Sequence, residues 1–532
     1  MPLDQVPSTG DDAPSRARAT AGSPAPNGAP RRAAEPLDTT SMGGAAGWTI
    51  AGTLIPGLGL WRAGHRVVGG IVMAIGFVIV GGLVGLFLVN KMALAASAVD
   101  PTVLYIATAA LVVLALGWVF VIGATFLSLR PHRPTVVERV AGAALVGVLS
   151  FLVAAPMALA ANFTYTTAGL VTAIFDPSDA QSATQPTITN QADPWADKDR
   201  LNVLILGGDS GNDRAKNLGD RTDTVIVASI DTKNGATTLF SLPRNTARMP
   251  FPADSPLHAY YPNGFYDGVN PANASYFLNA MYRMVPSRVP NDVLGKTKNF
   301  AADVMKVSAG EALGLDIDYY VKVNMDGFKD FINALGGITV NVNYRVPIGG
   351  QTDAHVLPEG YIEPGPNQHL KGRLALWYAR GRYGLDDYSR MERQRCVINA
   401  VVQQASPQNV LLNYQKVAQA GEKTIETDVP RNMLPAMLTL ADRVHGTKLR
   451  SVVFRAGEGG WVSANPNWTA VQARVRKALK EADKSNTPST ASATPSVSAS
   501  PPGSATAKPS SSPTTKAKSD DLDDQCAYHP AE

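Results

Sequence analysis

Three long apolar runs near the start of the chain constrain its fold more strongly than any other feature. At 1.5 Å per residue in a helix, each run is long enough to cross a hydrocarbon core of about 30 Å. Three such runs in succession are not typical of the buried core helices of a water-soluble protein. We therefore predict helical transmembrane spans over residues 67–89, 103–129 and 140–161.

The residues before these runs set the expected limits of the membrane region. Residues 1–44 are rich in Pro, Ala, Gly and Arg without an apolar period, which predicts a disordered basic tail. The segment WTIAGTLIPGLGLW, which begins at Trp48, is short and interrupted by Pro56 and Gly57. We expect it to lie in the interface or to re-enter the membrane rather than to span it. The whole transmembrane region is predicted to cover residues 45–165.

Basic residues at the ends of the spans predict their orientation, because cytoplasmic loops carry an excess of Lys and Arg. The loop 90–102, between the first two spans, contains only Lys91 and Asp100 as charged residues. The amino terminus is therefore expected inside and the part after the third span outside; a fourth crossing near Trp48 would move only the amino terminus. The residues that precede the first span and separate the second from the third are Arg62, His65, Arg66, Arg130, His132, Arg133 and Arg139.

The part of the chain outside the membrane divides into three regions by composition. Residues 166–198 are interpreted as a linker, and residues 199–482 as a large extracytoplasmic domain. Residues 483–532 form a tail rich in Ser, Thr and Pro, which predicts a flexible tether, and the tail ends in DDLDDQCAYHPAE. Because a domain outside the membrane rarely meets genomic DNA, we expect no nucleic-acid partner.

The extracytoplasmic domain begins with three segments typical of β-strands: LNVLILGGD, TVIVASID and ATTLFSLPRN. The short link DTKNG predicts a hairpin, and an antiparallel meander would bring the end of the first strand, the start of the second and the end of the third to one sheet edge. Two carboxylates and two guanidinium groups fall at this edge: Asp209, Arg221, Asp223 and Arg244. They form either surface ion pairs or a site in which oxygen ligands bind Mg²⁺ and arginines bind phosphate.

A second group of charges lies in the stretch ARGRYGLDDYSRMERQR, residues 379–395. Residues 389–404 are predicted to form a helix, in which Arg390 and Gln394 share one stripe with two apolar residues further along, Val397 and Val401. A buried arginine requires an anion. We therefore expect Arg390 and Gln394 to face a polyanion.

The remaining charges of this stretch are expected to point elsewhere. Arg395 and Glu392 lie on the opposite face of the predicted helix and are interpreted as ordinary solvated charges. Arg380 and Arg382 are two residues apart after the apolar run LALWYA. In an extended segment, residues with this spacing project from the same side, so the two guanidinium groups are predicted to point together.

These motifs, in their order and spacing, resemble the LytR-CpsA-Psr family of Gram-positive cell-envelope proteins, in a membrane-anchored form with several amino-terminal helices. The resemblance covers about residues 201–405 and rests on NVLILGGDS, GDRTDTVIVASID, FSLPRN, YYVKVNMDGFKDFINALGGITV and WYARGRYGLDDYSRMERQR. It implies an α/β/α sandwich around a mainly antiparallel sheet, with a lipid tail in an apolar cavity between the sheet and the helices.

The resemblance also implies a phosphotransferase that moves a glycopolymer from a polyprenyl-pyrophosphate carrier to peptidoglycan, with a muramic-acid 6-hydroxyl as the acceptor. The implied ligands of Mg²⁺ or Mn²⁺ are Asp209 and Asp223. The implied catalytic residues are these two with Arg244 and Arg380. The implied pyrophosphate-binding residues are Arg221, Arg244, Arg380, Arg382, Arg390 and Gln394.

Two other functions would use the same residues. One is a non-catalytic envelope protein that binds polyprenyl pyrophosphates or wall polymer as a scaffold or sensor. The other is a pyrophosphatase that uses water as the acceptor. The sequence contains no CxxC, HExxH or P-loop motif that would favour a different chemistry.

The chain has two cysteines, Cys396 and Cys526, and both are predicted to lie outside the membrane, where a disulfide can persist. A bond between them would fasten the acidic end of the tail near the arginine-rich helix. The alternative is a pair of unpaired or intermolecular thiols. The sequence alone leaves both possibilities open.

Overall fold

The computed structural model of the protein describes residues 41–89, 97, 99–175, 182–188, 190, 193–208, 221–270, 272–352, 354–404, 414–445, 447–458, 461–485 and 521–529. The chain divides into two compact units. One comprises Met1–Met73 and Val121–Leu149, and the other Ala74–Phe120 and Ser150–Glu532. The first 40 residues of the predicted disordered tail, residues 1–44, lie outside the described residues, whereas residues 42–44 belong to α1 and are helical. Most of the Ser/Thr/Pro-rich tail, residues 486–520, also lies outside the described residues.

The helices of the described residues are α1 Met42–Leu54, α2 Leu58–Arg62, α3 Arg66–Val89, α4 Pro101–Leu129, α5 Val136–Ile174, α6 Pro256–Tyr260, α7 Leu278–Met284, α8 Phe300–Leu313, α9 Met325–Ala334, α10 Gly372–Arg380, α11 Asp387–Gln404, α12 Tyr414–Thr424, α13 Leu434–His445, α14 Trp468–Ser485 and α15 Leu522–Gln525. Two short 3-10 helices cover Ala274–Tyr276 and Arg431–Met433. The strands are β1 Arg200–Gly208, β2 Thr222–Asp231, β3 Thr237–Ser241, β4 Tyr319–Asn324, β5 Ile338–Val342, β6 Val346–Gln351, β7 Val356–Ile362, β8 Gly365–Leu370, β9 Ile425–Thr427 and β10 Leu449–Val453.

Each of the three predicted spans falls within one helix, namely α3, α4 or α5. In the part of the chain that the structure describes, α4 and α5 are long and apolar enough to cross a membrane. The apolar stretch of α3, Arg66–Gly82, is shorter. Helix α5 continues to Ile174, so the beginning of the predicted linker is helical.

The segment from Trp48 forms the end of α1, a turn and α2, rather than one spanning helix. Gly57 makes this turn with a φ of +93°, and a Cβ at this position would lie 2.4 Å from the carbonyl oxygen of Gly69. Only glycine avoids both the left-handed strain and the clash. The turn therefore depends on the glycine that follows Pro56.

A six-stranded mixed sheet forms the centre of the second unit, with the strand order β10-β3-β2-β1-β4-β9. Strands β1, β2 and β3 form the predicted antiparallel meander, and β9 runs antiparallel to β4. The pairs β1–β4 and β3–β10 are parallel. The predicted α/β class is confirmed, and the antiparallel pairs outnumber the parallel ones.

Side chains of β2 alternate between two core layers, as a half-buried pleat requires. Val225 and Val227 pack in the apolar core with residues of α7, α8 and α14. Ile226 and Ala228 point to the opposite face, where side chains of α11 and α15 cover them. The sheet therefore lies between two helical layers. Two small two-stranded sheets, β5–β8 and β6–β7, flank α10 and α11 in a further cluster of buried residues.

A fully buried group of charges packs behind the sheet, and we call it the Lys306 cluster. Its four members are at most 2% exposed: Asp303, Lys306, Asp318 and Asp428. The Lys306 Nζ lies 2.7 Å from Asp428 Oδ2 and 2.8 Å from the Asp318 carbonyl oxygen. Asp428 Oδ1 accepts a hydrogen bond from Tyr320 N at 2.7 Å. The carboxylate of Asp318 pairs instead with the Lys198 Nζ at 2.5 Å and accepts a hydrogen bond from Asn202 N at 2.8 Å.

This cluster also holds a segment that we predicted to be linker. Asp303 accepts hydrogen bonds from the hydroxyl of Ser182, from Ala183 N at 3.1 Å and from Thr184 Oγ1 at 2.9 Å. The boundaries predicted for the linker, residues 166–198, stay a prediction, but two of its described parts are attached to regular structure. Its start continues α5, and residues 182–184 are part of the domain because Asp303 needs their donors.

The end of the chain returns to the domain. We call residues 521–529 the C-terminal strap. Leu522 of the strap is fully buried against the sheet. Cys526 forms a disulfide with Cys396 of α11, with the two Cα atoms 5.6 Å apart. Of the two possibilities that the sequence left open, the structure contains the paired cysteines.

Candidate functional site

The sheet edge at the end of β1 and the start of β2 carries the first pair of candidate residues. Asp223 is the second residue of β2, and Arg244 follows β3, which pairs with β2. The Arg244 Nη1 lies 2.9 Å from Asp223 Oδ1. Asn279 of α7 donates a longer hydrogen bond of 3.4 Å to the same oxygen. The meander therefore brings a carboxylate and a guanidinium group into direct contact.

Helix α11 adds a second carboxylate and a second guanidinium group. The Arg390 Nη2 lies 2.9 Å from Asp387 Oδ1 and donates a 3.0 Å hydrogen bond to the carbonyl oxygen of Asp223. The Arg244 Nε is 3.3 Å from the same Asp387 oxygen. Asp387 thus bridges the two arginines. We call Asp223, Arg244, Asp387 and Arg390 the Asp223 cluster.

The sequence analysis missed Asp387. We predicted that the helix begins at Ser389, whereas α11 begins at Asp387. An acidic residue in the first turn of a helix is favoured by the helix dipole, and it can pair with an arginine three residues later. The three-residue spacing between Asp387 and Arg390 could therefore have identified this pair from the sequence.

The electrostatics of the cluster keep Asp223 ionised. Burial raises the pKa of Asp223, but the charges of Arg244 and Arg390 outweigh it and hold the pKa below its ordinary value. Burial lowers the pKa of Arg390, and the neighbouring Asp387 and Asp223 oppose this shift only in part. For Arg244 the two carboxylates prevail over burial, and its pKa is raised. Two negative and two positive groups therefore balance one another.

An apolar pocket with a cavity volume of about 160 Å³ adjoins this cluster. It lies between strands β1, β2 and β4 on one side and helices α9, α10 and α11 on the other. Its charged and amide-bearing lining includes Asp223, Arg380, Arg390 and Gln394. Most of the remaining wall is apolar and is formed by residues such as Ile205, Val323, Met325, Phe328, Leu376 and Val397. The site can accommodate a molecule with an anionic head and a hydrocarbon tail.

The arginines of residues 379–395 do not all serve the pocket. Arg380 is the last residue of α10 and lies over the ring of Trp377, 5.5 Å from its centroid. The prediction that Arg380 and Arg382 extend from one side of a strand-like segment is therefore wrong. The amphipathic run before them is helical because its apolar side packs on α11. Arg382 is exposed, yet its charge is close enough to lower the pKa of Arg390.

Arg393 has a structural role in the same region. It is 3% exposed and donates a hydrogen bond of 2.6 Å to the carbonyl oxygen of Tyr378 and another to that of Gly381. Its Nη1 donates to the hydroxyl of Tyr344 at 2.8 Å. Carbonyl groups at a helix end carry partial negative charge. Arg393 therefore ties the end of α10, and with it Arg380, to α11.

The interpretation of Arg395 as a solvated charge is wrong. Its side chain is fully buried, and burial lowers its pKa to about 10. The strap covers it, and the Arg395 Nη2 donates to Gln525 Oε1 at 3.3 Å. Helical periodicity cannot reveal a cover that comes from residues 130 positions away. Glu392, by contrast, is only half-buried and lies 3.6 Å from Arg455.

Of the remaining two predicted site residues, Arg221 is among the described residues and Asp209 is not. Arg221 is half-buried and immediately precedes β2. Asp209 lies outside the described residues, together with the loop up to residue 220. Within the described ranges, no group of three or more His, Cys, Asp or Glu side chains is arranged to hold a metal ion. The carboxylates near the pocket are Asp223 and Asp387. The Asp223 Oδ2 lies 3.8 Å from the Arg390 Nη1.

Fold and site together define an α/β domain in which an apolar pocket between sheet and helices is bordered by a balanced group of carboxylates and arginines. The chain belongs to the LytR_cpsA_psr family, whose model matches residues 166–484. The match begins within α5 and therefore includes the predicted linker as well as the domain.

Several proteins are similar to this chain. The polyisoprenyl-teichoic acid–peptidoglycan teichoic acid transferase TagU of Enterococcus faecalis is 31% identical over 235 residues, which are 44% of this chain and 62% of that protein. TagV of Bacillus subtilis, which carries the same transferase name, is 27% identical over 305 residues, 56% of this chain and 68% of that protein. The Streptococcus mutans biofilm regulatory protein A is 26% identical over 318 residues, 56% and 69% of the two chains. The chain spans less than two thirds of the Enterococcus relative.

Solved structures also resemble the chain. The crystal structure of Bacillus subtilis TagV has a TM-score of 0.37 and 26% identity, and the likeness covers 54% of this chain and 97% of that one. A structure entitled TagT bound to LIIa-WTA has a TM-score of 0.33 and 19% identity, with 57% and 96% of the two chains covered.

Proposed function

We propose that this protein is a phosphotransferase that moves a glycopolymer from a polyprenyl-pyrophosphate carrier to peptidoglycan and releases polyprenyl phosphate. The observation that carries the proposal is the continuity of an apolar pocket with Arg380, Arg390 and Gln394. A polyprenyl pyrophosphate combines a hydrocarbon chain with a polyanion, which is the chemistry that this pocket complements. The names of relatives such as the Enterococcus and Bacillus transferases support the same activity.

The chain's own residues would bind and orient the reactants. Guanidinium groups match phosphate oxygens bidentately, so Arg390 and Arg380 would bind the pyrophosphate, while Gln394 donates from the same wall. Arg244, the half-buried Arg221 and the exposed Arg382 would add positive charge near the leaving phosphate. The acceptor hydroxyl, for which we propose the muramic-acid 6-hydroxyl, attacks the phosphorus nearer the glycan. A new oxygen–phosphorus bond forms, the bond to the bridging oxygen breaks, and polyprenyl monophosphate leaves.

The acceptor proton requires a base, for which the sequence offers Asp209 and Asp223. The lowered pKa of Asp223 makes this carboxylate a weak proton acceptor and a better partner for cations. We therefore propose that Asp223 holds charge and geometry rather than the proton. Asp209 remains the candidate for the base.

We also propose Mg²⁺, or Mn²⁺, as the cofactor, held by Asp223 together with Asp209. Asp223 fits a hard cation because it is an ionised carboxylate beside the pocket, and its Oδ2 lies 3.8 Å from the Arg390 Nη1. A bound divalent ion would neutralise charge on the phosphate oxygens. The test is binding of Mn²⁺, measured by electron paramagnetic resonance, to the native protein and to Asp223→Asn. Equal Mn²⁺ affinity in both would contradict the assignment of Asp223.

The first experiment measures release of polyprenyl monophosphate from a polyprenyl-pyrophosphate oligosaccharide by the full-length protein, with Mg²⁺ and a peptidoglycan oligomer. The Arg380→Ala variant should lose the glycan–peptidoglycan product. Arg373→Ala is a matched control, because Arg373 lies on the same helix but is exposed and pairs with Glu359. This variant should retain the native rate.

Each alternative function gives a different product. Tight binding of the carrier without any turnover would indicate a scaffold or sensor, and release of free glycan phosphate would indicate a pyrophosphatase. Either result would overturn the transferase proposal. Coupled formation of polyprenyl phosphate and glycan-linked peptidoglycan, lost in Arg380→Ala and kept in Arg373→Ala, would support it.

We further propose a multi-pass anchor in the cytoplasmic membrane, with α3, α4 and α5 as three spans and the amino terminus inside. Two of these helices, α4 and α5, pass the length and hydropathy requirement for a span. The basic flanks of α3 and α5 support the orientation. Protease added to intact cells should remove the domain after α5 but leave a tag on the amino terminus protected. Digestion of the tag would contradict the proposed topology.

A further inference from the structure

The C-terminal strap packs against the domain by both apolar and polar contacts. Leu522 is fully buried in a cluster with Ile226, Ala228, Leu239 and Leu449. The Asn341 Nδ2 donates to the Cys526 carbonyl at 2.9 Å, and His529 N donates to Asn343 Oδ1 at 2.7 Å. The backbone of Asp521 forms an antiparallel bridge with that of Arg450. The strap thus contacts β5 and β10 as well as the arginine-rich helix.

The charges of the strap complement those of the surface below it. Asp521 lies 3.4 Å from the Lys448 Nζ, and Asp523 Oδ1 accepts from Asn399 Nδ2 at 3.2 Å. Gln525 accepts from the buried guanidinium of Arg395 at 3.3 Å. The Arg395 Nε and Nη1 have no hydrogen-bond acceptor among the residues that the structure describes. If the strap left, this guanidinium would become exposed to water.

Helix α11 lies between the strap and the pocket. Arg390, Gln394 and Val397 line the pocket on one side of the helix. Arg395 and Asn399 contact the strap from the opposite side, and Cys396 bonds to it. Helix α11 therefore carries the pyrophosphate-binding candidates on one face and part of the docking surface of the strap on the other.

We propose that the strap is a positioning element for the pyrophosphate site and that Cys396 and Cys526 are its positioning residues. The proposal rests on the proposed function, because its effect is on binding of a polyprenyl pyrophosphate. The disulfide holds the strap on α11, and the strap holds α11 in the place from which Arg390 and Gln394 reach the phosphates. A displacement of about 1 Å in such a site is enough to lower a catalytic rate by about a hundredfold.

The proposal makes the site sensitive to reduction. A dithiol donates two electrons and two protons to the Cys396–Cys526 bond, which yields two thiols and converts the dithiol into a disulfide. The strap is then connected to the domain only through residues 486–520. Its docking becomes a reversible equilibrium that is set by the effective concentration of the tethered strap rather than by a covalent bond. Reduction should therefore lower the affinity of the site for a polyprenyl pyrophosphate without abolishing binding. Reduction combined with Leu522→Asp should weaken it further, because a buried anion opposes docking.

The test measures the dissociation constant of geranylgeranyl pyrophosphate for the full-length protein in detergent micelles, with and without dithiothreitol. We expect reduction to raise the dissociation constant about tenfold, within the usual range for coupled sites. Cys526→Ser should have the affinity of the reduced native protein and should not respond to dithiothreitol. The control Lys477→Gln removes an exposed ion pair with Glu481 on α14, which packs on the opposite face of the sheet from the strap, and should respond to reduction like the native protein.

A second readout separates positioning from loss of folded protein. Arg390 and Gln394 are proposed to contact the phosphates, so a displaced α11 should lower the preference for geranylgeranyl pyrophosphate over the monophosphate. General unfolding would weaken both ligands equally. Gln525→Ala keeps the disulfide and removes the Arg395 hydrogen bond, and it should reduce this preference by about twofold to threefold.

Each outcome decides between the two proposals. Equal affinity and equal preference in the oxidised and the fully reduced protein, with two thiols titrated in the latter, would overturn the positioning role. Equal weakening of both ligands would overturn it as well and leave the strap a stabilising element. If the oxidised native protein does not bind the pyrophosphate probe, the proposed function itself fails.

Discussion

The domain contains two compact groups of charge with different surroundings. In the Lys306 cluster, all four members are at most 2% exposed, and the ammonium group of Lys306 has two partners within 2.8 Å. In the Asp223 cluster, Asp223, Arg244 and Asp387 are about one-fifth exposed, and only Arg390 is buried. The first group is enclosed by the domain. The second borders a pocket.

The two groups also differ in hydrogen bonding. Asp303, Asp318 and Asp428 each accept aligned hydrogen bonds from the backbone. In the Asp223 cluster, by contrast, three polar atoms have no aligned hydrogen-bond partner among the described residues: both carboxylate oxygens of Asp387 and the Nε of Arg390. Both side chains nevertheless lie close to opposite charges. A saturated cluster contributes to the fold, whereas polar atoms with spare capacity beside a pocket can serve a ligand. This difference, rather than charge content, is the ground on which we propose a structural role for the Lys306 cluster and a functional role for the Asp223 cluster.

The largest expected effect tests the structural side of the comparison. Lys306→Met should destabilise the domain by about 3–5 kcal/mol, because the buried Asp428 carboxylate loses its cationic partner. Thermal unfolding of the full-length protein in detergent measures the change. Lys477→Met is the control, since Lys477 is exposed and forms only a 3.9 Å pair with Glu481. A fully stable Lys306→Met protein would show that the Lys306 cluster is not a structural group.

The next effect tests the functional side. Arg390→Gln should lower glycan transfer by about 10²–10³-fold, the usual loss when one preorganised donor to a transition-state oxyanion is removed. Its melting temperature should change much less than that of Lys306→Met, because Asp223 and Asp387 keep Arg244 as a cationic partner. Transfer assays and thermal unfolding on the same preparation check both parts. A large loss of stability without a specific loss of transfer would place Arg390 in the structural class.

The substitution Asp387→Asn separates the effect of the Asp223 cluster on ligand binding from its effect on the positioning of the two arginines. The substitution removes a negative charge beside Arg244 and Arg390, so binding of a pyrophosphate should not weaken. The loss of the bridge between the two arginines should nevertheless reduce turnover by about tenfold, because geometry at the phosphates is relaxed. The dissociation constant and kcat are measured separately. Weaker binding with an unchanged kcat would contradict the positioning role of Asp387.

The smallest effect concerns pH. The pKa of Asp223 is lowered in the folded protein, so its ion pairs contribute stability above the unfolded pKa of about 3.9, and this contribution is lost as the pH falls below that value. The difference in melting temperature between the native protein and Asp223→Asn should therefore be constant from pH 7 to about pH 5 and narrow below about pH 4. A difference that widened in acid would mean that the folded state raises this pKa.

Local sequence patterns predicted much of the fold because they report on periodicity and composition. The strand segments, the hairpin between β2 and β3, the three apolar helices and the helix that carries Arg390 all have signals within a few residues. The approach of Asp223 to Arg244 followed from strand order alone, since an antiparallel meander determines which strand ends meet. Glycine at position 57 likewise determines a turn by its own conformational freedom.

Other features depended on contacts between distant segments. Arg395 is buried by the strap, Asp303 is saturated by residues 182–184, and Asp387 bridges arginines from two elements. Arg393 is a buried arginine whose close acceptors are carbonyl groups and a hydroxyl rather than the polyanion that we expected for a buried guanidinium. Helical periodicity separated Arg390, which borders the pocket, from Arg395 on the opposite face, but no local pattern showed that Arg393 and Arg395 are buried.

The sequence by itself determined the apolar helices, the strands of the meander and the types of charged residue available, because these depend on side-chain chemistry and short-range periodicity. Only the tertiary structure decided which arginines support the fold and which are covered by the strap. The physical reason is that burial of a charge depends on all the segments packed around it, and the segments around α11 come from as far away as residue 525.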